Sequence, residues 1–294
     1  MSRGVVVLLI IGAGLAVGAG LLLFGAAFMS SPGPLLPGFG SLGRGIGYIE
    51  IEGTITDSRN TIRQLKELEH NPAVKALLIR VDSPGGVVTP SHEIYEEIRR
   101  IRDAGMPVVV SMGTLAASGG YYVSCPADII VANPGTLTGS IGVIMEFPVV
   151  RGLMDKVGLK VEVIKSDIHK DIGSPFRDMA EGERALLQGV VTDVYEQFIG
   201  VVSIERGLPL EDVRALADGR IFTGRQAQAF GLVDTLGTLE DAKRIAAGLA
   251  GLTGEPRLVR PRPRIRPFLS SLLEQAAGRV FGWPTHPRLS FLWR

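Results

Sequence analysis

The sequence is poor in cysteine and histidine, and both shortages narrow the chemistry that it can carry. Cys125 is its single cysteine, so no disulfide can form within the chain. The four histidines form no cluster with the spacing of metal ligands, and the sequence therefore predicts neither a metal nor a cofactor. An apolar, buried position for Cys125 is favoured over a reactive thiol.

Net charge is also nearly absent, at +1, but it is unevenly distributed. Residues 257–294 hold eight arginines and one glutamate, which leaves the rest of the chain acidic. An acidic body with a basic tail argues against nucleic acid as the main partner and is compatible with contact to anionic lipid. The hydrophobic fraction of 46% and the charged fraction of 21% are typical of a folded globular protein and exclude a disordered one.

The longest hydrophobic run lies near the N-terminus, at residues 5–29, and carries no charged side chain. A helix of this length spans about 37 Å, which is enough to cross a hydrocarbon core of about 30 Å. The length favours an uncleaved anchor over a signal peptide, although residues 25–27 match a small-residue cleavage pattern. Because Arg3 precedes the run, the positive-inside rule predicts a single-pass protein of the cell membrane with its body on the extracytoplasmic side.

Composition divides the chain into four segments. Residues 1–29 are the predicted anchor, residues 30–45 a Gly/Pro-rich linker, residues 46–250 a folded domain, and residues 251–294 a basic tail rich in Arg and Pro. In the tail, residues 268–281 have the spacing of an amphipathic helix. The tail is interpreted either as a disordered or self-packing extension or as a contact with the membrane surface.

Strand and helix patterns alternate along the folded domain. The predicted strands are residues 48–53, 76–82, 107–112, 128–132, 140–144 and 161–165. The predicted helices are residues 58–70, 91–103 and 181–206. This alternation predicts an α/β domain with a largely parallel sheet.

Two glycine-rich turns follow buried strands and are the first candidates for a site. One is Asp82-Ser83-Pro84-Gly85-Gly86, and the other is Ala117-Ser118-Gly119-Gly120. The carboxyl ends of parallel strands share one edge of a sheet, so both turns are expected on the same rim. A serine there can attack a carbonyl while nearby N–H groups stabilise the oxyanion. The residues alone fit equally well a reading in which Ser118 caps a helix and the glycines permit close packing.

A nucleophilic serine needs a base, and the residue pattern leaves that base open. His92 follows the first turn, and His169 lies 51 residues beyond Ser118. Lys170 follows a predicted strand, and burial of a lysine favours its neutral, basic form. Nothing in the spacing alone selects one of them.

Four motifs occur together in a characteristic order. They are DSPGG at 82–86, AASGGYYV at 116–123, GTLTGSIGVI at 135–144 and HKDIGSPFRDM at 169–179. With these motifs the chain resembles the short form of the signal peptide peptidase A family, membrane-anchored serine peptidases of class S49. The resemblance covers roughly residues 46–250.

The resemblance implies a crotonase-like (ClpP-like) α/β fold and a Ser-Lys dyad. By motif, Ser118 is the nucleophile and Lys170 the base. Ser140 is the hydroxyl that orients the lysine amine, and the N–H groups of Gly86 and Gly119 are the oxyanion donors. Lys165 has no position in the motif and is interpreted as a strand-end residue.

The implied function is that of a serine endopeptidase that degrades signal-peptide remnants or other apolar, membrane-associated peptides. The family also implies a homo-oligomer in which the serine and the lysine can come from neighbouring subunits. Two alternatives share the fold: an inactive membrane scaffold, and an acyl-CoA enzyme of the crotonase type. A ClpP-type Ser-His-Asp site is disfavoured, because no histidine lies between Ser118 and His169.

Overall fold

The computed structural model describes residues 44–262 and 290–292. Its strands are β1 (Gly45–Glu52), β2 (Val74–Ser83), β3 (Gly85–Val87), β4 (Val108–Ala117), β5 (Ile129–Ala132), β6 (Leu137–Gly139), β7 (Ile221–Thr223), β8 (Thr235–Leu236), β9 (Arg257–Val259) and β10 (Ser290–Leu292). Its helices are α1 (Arg59–Glu69), α2 (Val88–Asp103), α3 (Gly119–Ser124), α4 (Arg151–Lys156), α5 (Glu181–Arg206), α6 (Leu210–Leu216), α7 (Gly224–Ala229) and α8 (Leu239–Leu249).

Most of the strands form one sheet in the order β7-β6-β4-β2-β1-β9, with β5 beside β4 and β8 beside β5. Every pairing in this sheet is parallel except that of β6 with β7. Besides β2, the long strand β4 has two further neighbours: its first half pairs with β5, and its last residues pair with β6. The predicted α/β domain with a largely parallel sheet is confirmed.

The sheet is covered on both faces, which explains its continuous apolar runs. In β2, Leu77 and Ile79 face one hydrophobic core, while Ala76 and Leu78 face a second. This alternation follows from the two-residue period of a strand. Helices α1, α2, α3 and α5 contribute to the first core and α8 to the second. A strand buried on both sides has no solvent face that needs polar residues.

Two of the predicted strands are wrong. Residues 161–165 pair with no strand among the described residues, and the stretch 161–170 is exposed throughout. Residues 140–144 form no continuous strand, because β6 ends at Gly139 and the chain turns at Ser140 with φ 50°. Alternating residues become a strand only where a sheet edge receives them, and within residues 140–144 only Ile144 forms a β-bridge.

Residues beyond the predicted domain end at 250 also form strands of the two sheets. Strand β9 pairs with β1 in parallel, and β10 pairs with β3 antiparallel. The predicted anchor at residues 5–29 and the predicted helix at residues 268–281 lie outside the described residues. Across residues 44–262 and 290–292, no helix is both long enough and apolar enough to cross a membrane.

Cys125 lies in the first core, directly after α3, as the apolar interpretation expects. Its thiol donates to the carbonyl oxygen of Tyr121 at 3.3 Å, and burial raises the pKa of this thiol to about 12.

We expect Cys125 of the native protein to resist iodoacetamide at pH 8, because the thiolate is the reactive form. A pKa near 12 leaves on the order of one thiol in ten thousand ionised at that pH. The urea-unfolded protein serves as the control and should be alkylated readily, as measured by mass spectrometry. Equal labelling rates in the two states would contradict the burial.

Candidate active site

The two glycine-rich turns meet at one edge of the sheet. Strands β2 and β4 run in parallel and pair as far as Ser83 and Ala116, just before the turns. A Cβ added to Gly119 would stand 3.0 Å from the backbone nitrogen of Gly86. The prediction that both turns lie on the same rim is therefore confirmed.

The N–H and C=O groups of Gly86 face the side of β3 that lies away from Ile55. The N–H of Ile55 donates to the carbonyl of Gly85, and the N–H of Val87 donates to the carbonyl of Ile55, both at 2.8 Å. Because the polar groups of successive strand residues alternate in direction, those of Gly86 point away from Ile55. A Cβ at Gly86 would stand 2.0 Å from the carbonyl oxygen of Ile55, so only glycine fits there.

Ser118 has a backbone conformation that is rare for a residue with a side chain. It joins β4 to α3 with φ 53° and ψ −116°. Among the described residues, Ser118 and Ser140 are the only ones other than glycine with positive φ. Such strain persists where the surroundings impose it. Here the Ser118 N–H donates to the carbonyl of Gly139, and the Ser118 carbonyl accepts from the N–H of Tyr122, both at 2.8 Å.

The hydroxyl of Ser118 makes no capping hydrogen bond, although Ser118 occupies the N-cap position of α3. A serine that serves as a cap uses its side-chain oxygen to accept from an N–H of the first helical turn. Ser118 is only 1% exposed. Its position is therefore enclosed and strained without the benefit of a cap, which favours the nucleophile over the helix cap.

Ser140 stands beside Ser118 at the ends of neighbouring strands. Strands β4 and β6 pair with Ala117 opposite Gly139, and each of these residues is followed by its serine. The N–H of Ser140 donates to the carbonyl of Arg220 at 2.8 Å, and Ser140 is buried. The structure thus brings the two serines together with the glycine turns.

Lys170 lies in a different part of the chain, the segment 145–180, which we call the arm. Apart from α4, the arm contains no helix or strand. Lys170 is exposed, and its ammonium forms no hydrogen bond or ion pair with any described residue. Within one chain, the structure does not join Lys170 to Ser118 or to Ser140.

Lys165, by contrast, is already engaged within the arm. Its ammonium pairs with the carboxylate of Asp171 at 2.6 Å and donates to the carbonyl of Ile168 at 3.0 Å. Arg177 links the same Asp171, at 2.8 Å, to Glu183, at 2.5 Å. The hydrogen bonds from Arg177 lower the pKa of Glu183 to about 2. These ion pairs tie the arm to the first turn of α5.

Neither His92 nor His169 is bonded to the serine. On α2, Nδ1 of His92 shares a hydrogen bond with the hydroxyl of Tyr122 at 2.9 Å. His169 is exposed on the arm beside Lys170. Neither imidazole is hydrogen-bonded to Ser118, which agrees with the sequence argument against a Ser-His-Asp site.

Sequence reasoning missed two residues that hold the first glycine turn. The hydroxyl of Ser83 donates to the carbonyl of Gly53 at 2.6 Å and accepts from the N–H of Gly85 at 3.1 Å. The carboxylate of Asp82 accepts from the N–H of Leu115 on β4 at 3.1 Å. For Ser83 the signal was present in the DSPGG motif, because a serine commonly bonds the backbone of the turn that follows it, whereas Asp82 bonds to a strand that is distant in sequence.

Comparison with known proteins first defines the class of fold. Residues 47–134 match the Clp protease family, and residues 100–253 match Peptidase family S49. The mostly parallel α/β fold with a serine at the carboxyl end of β4 is therefore ClpP-like.

Individual relatives agree with this class. The chain is 43% identical over 227 residues to a candidate protease of Synechocystis sp., a match that covers 75% of this chain and 81% of that protein. It is 41% identical over 184 residues to a candidate signal peptide peptidase SppA of Enterococcus faecium, covering 63% and 54%. It is 40% identical over 192 residues to Protease 4 of Salmonella typhi, covering 65% and 31%. The chain belongs to peptidase family S49 and is a serine peptidase.

We expect Ser83→Ala to lower both stability and turnover, because it removes two hydrogen bonds that shape the glycine turn. Loss of a buried partner costs about 1–3 kcal/mol. Ser203→Ala is the matched control: its hydroxyl bonds to the carbonyl of Leu208 at 2.7 Å, near the end of α5. Urea unfolding should show a loss for both variants, and peptide cleavage should slow only for Ser83→Ala. Unchanged cleavage by Ser83→Ala would contradict its role in the turn.

Proposed function

We propose that the protein is a membrane-anchored endopeptidase in which Ser118 attacks the peptide bond and Lys170 of a neighbouring subunit is the base. One observation carries this proposal. Ser118 is buried, strained and free of any capping bond, and it stands beside the glycine turns that hold Gly86 and Gly119. A residue with a strained backbone whose side chain makes no stabilising capping bond is typical of a functional site.

The surface of the arm supports a dyad that is shared between subunits. Large apolar side chains flank Lys170, among them Ile164, which is 99% exposed, and Ile168, which is 66% exposed. Exposed apolar side chains that are grouped in this way mark an interaction surface. A second copy of the chain that covers the arm would exclude water from its lysine, and burial favours the neutral form of a lysine amine.

The chemistry is acyl transfer. The neutral amine of Lys170 takes the proton of the Ser118 hydroxyl as Oγ bonds to the carbonyl carbon of the substrate. The N–H groups of Gly86 and Gly119 stabilise the resulting oxyanion. The lysine ammonium then protonates the leaving amine as the C–N bond breaks. Water, deprotonated by the same amine, releases the acyl group and restores Ser118. Ser140 is the hydroxyl that orients the amine.

We propose signal-peptide remnants and other apolar, membrane-associated peptides as substrates. The anchor predicted at residues 5–29 supports this proposal, because it would hold the peptidase domain close to a bilayer. It also supports a location in the cell membrane, with the domain on the extracytoplasmic side. A relative named as a signal peptide peptidase points to the same class of peptide.

We expect Ser118→Ala and Lys170→Ala each to lower kcat/KM by at least about a thousandfold, as removal of a nucleophile or its base does. Lys165→Ala is the matched control and should retain activity, because Arg177 still holds Asp171. Cleavage of a fluorogenic signal-peptide-like substrate by the full chain in detergent measures all three. Equal activity of Ser118→Ala and the unaltered protein would favour the inactive scaffold. Loss of activity in Lys165→Ala but not in Lys170→Ala would show that Lys165, and not Lys170, is the base.

Co-expression of the two inactive variants tests the sharing directly. The Lys170→Ala subunit still carries Ser118, and the Ser118→Ala subunit still carries Lys170. An active site formed between one subunit of each kind therefore has both residues, and random mixing should restore about a quarter of the sites in a symmetric assembly. Mixed assemblies without any activity would place both residues of the dyad in the same chain.

We expect activity to fall in acid, because only a neutral amine accepts the serine proton. The ion pairs of the arm persist in this range, since the pKa of Glu183 is lowered to about 2. The slope of kcat/KM against pH therefore reports the base and not loss of the arm. A flat profile down to about pH 5 would argue against an amine base.

A further inference from the structure

The loop that carries Lys170 is folded around the carboxylate of the next residue, Asp171. On one side, the ammonium of Lys165 pairs with this carboxylate at 2.6 Å. On the other side, the guanidinium of Arg177 donates from Nε to Oδ2 at 2.9 Å and from Nη2 to Oδ1 at 2.8 Å. A backbone turn closes the loop between these contacts, since the N–H of Lys170 donates to the carbonyl of Asp167 at 3.2 Å. The loop is therefore held by the residue beside the proposed base and not by the base itself.

Arg177 makes a second pair of bonds, to a carboxylate on a different element. Its Nη1 donates to Oε2 of Glu183 at 2.7 Å, and its Nη2 donates to Oε1 at 2.5 Å. One guanidinium thus holds two carboxylates, each through two N–H groups, which is a forked geometry that a lysine ammonium cannot provide. Arg177 is the side chain through which the loop of Lys170 is attached to α5.

Glu183 belongs to a helix that is anchored in the core. It lies in the first turn of α5 and is buried, and its Oε2 also accepts from the N–H of the residue before the helix at 3.0 Å. Farther along α5, Phe198 and Val202 are buried in the first hydrophobic core. The hydrogen bonds from Arg177 hold the pKa of Asp171 well below its usual range, as they do for Glu183, so both carboxylates are charged near neutral pH.

A lysine base needs such an anchor, because its amine stands at the end of a flexible chain of methylene groups. The arm around Lys170 has no helix or strand that would hold its backbone in place. Catalytic groups must be held within about 0.5 Å of the productive geometry. A misplacement of about 1 Å can cost about a hundredfold in rate. The attachment to α5 therefore bears directly on how well the amine is placed.

We propose that Arg177 is a positioning residue: by joining Asp171 to α5, it fixes the backbone that presents the base. The proposal rests on the proposed function, since it concerns the placement of Lys170 in the same dyad. Arg177 touches neither the substrate nor the reacting atoms. Its effect is transmitted through the residue that directly follows the base.

The first test is kinetic and uses the full chain in detergent. We expect Arg177→Ala to lower kcat about 10- to 100-fold and to change KM by less than about twofold, because placement of the base is lost and substrate binding is not. Arg177→Lys should remain impaired, since an ammonium cannot form both forked pairs. Arg151→Ala is the matched control: it removes another ion pair of the arm, to Asp178 at 2.7 Å, and should retain kcat. Full kcat in either Arg177 variant would overturn the proposal.

A double variant separates positioning from a role elsewhere in the molecule. The protein with both Lys170→Ala and Arg177→Ala should be no slower than Lys170→Ala alone, because positioning has no effect once the amine is gone. Single-turnover cleavage measures both. A further loss in the double variant, equal to that of Arg177→Ala alone, would show that Arg177 acts independently of the base and would overturn the proposal.

Hydrogen exchange tests the attachment without catalysis. In Arg177→Ala we expect the amides of residues 165–176 to exchange severalfold faster than in the unaltered protein, because the loop is no longer joined to α5. Exchange in β4 serves as the internal reference and should not change. Unchanged exchange across residues 165–176 would overturn the attachment and with it the positioning role.

The two proposals fail in different ways. Full activity in Lys170→Ala would reject the dyad, and the positioning role with it, whatever the hydrogen exchange shows. Loss of activity in Lys170→Ala together with full kcat in Arg177→Ala would keep the dyad and reject the positioning role.

Discussion

The site depends on the close approach of two backbone turns that no side chain separates. A Cβ at Gly86 would collide with the carbonyl of Ile55, and a Cβ at Gly119 would stand 3.0 Å from the nitrogen of Gly86. Because glycine occupies both positions, the N–H group of Gly86 on β3 and that of Gly119 at the start of α3 come close enough together to be the proposed oxyanion donors. The buried parallel pair β2 and β4 maintains this distance, since its register ends where the turns begin.

Conformational strain in the backbone is the second feature of this edge of the sheet. Ser118 and Ser140 both follow strand ends with positive φ, and the hydrogen bond from Ser118 to the carbonyl of Gly139 joins them. The large core on both faces of the sheet stabilises the fold against this cost. The strands thus hold Ser118 and Ser140 in backbone conformations that an isolated loop would abandon.

Two segments outside the central sheet bear on the proposed function of the site. The arm carries Lys170 on an exposed, apolar surface, which supports a base delivered by a second copy of the chain. The last strand, β10, covers the edge of β3 and buries Phe291 against Tyr122 and Phe198. One segment bears the proposed base, and the other pairs with the strand that carries Gly86.

The sequence by itself determined the class of fold, and it singled out Ser118 as the candidate nucleophile. Buried runs such as residues 76–82 reveal a two-sided strand through their composition, and four ordered motifs single out Ser118 among the serines. Only the tertiary structure decided that residues 161–165 pair with no strand, that Ser83 holds the glycine turn, and that β10 lies on β3. The physical reason is that side-chain periodicity is local in the sequence, whereas strand pairing joins segments that are distant in the sequence. Periodicity reports which side chains one segment buries, whereas strand pairing depends on which distant edge is available to receive it.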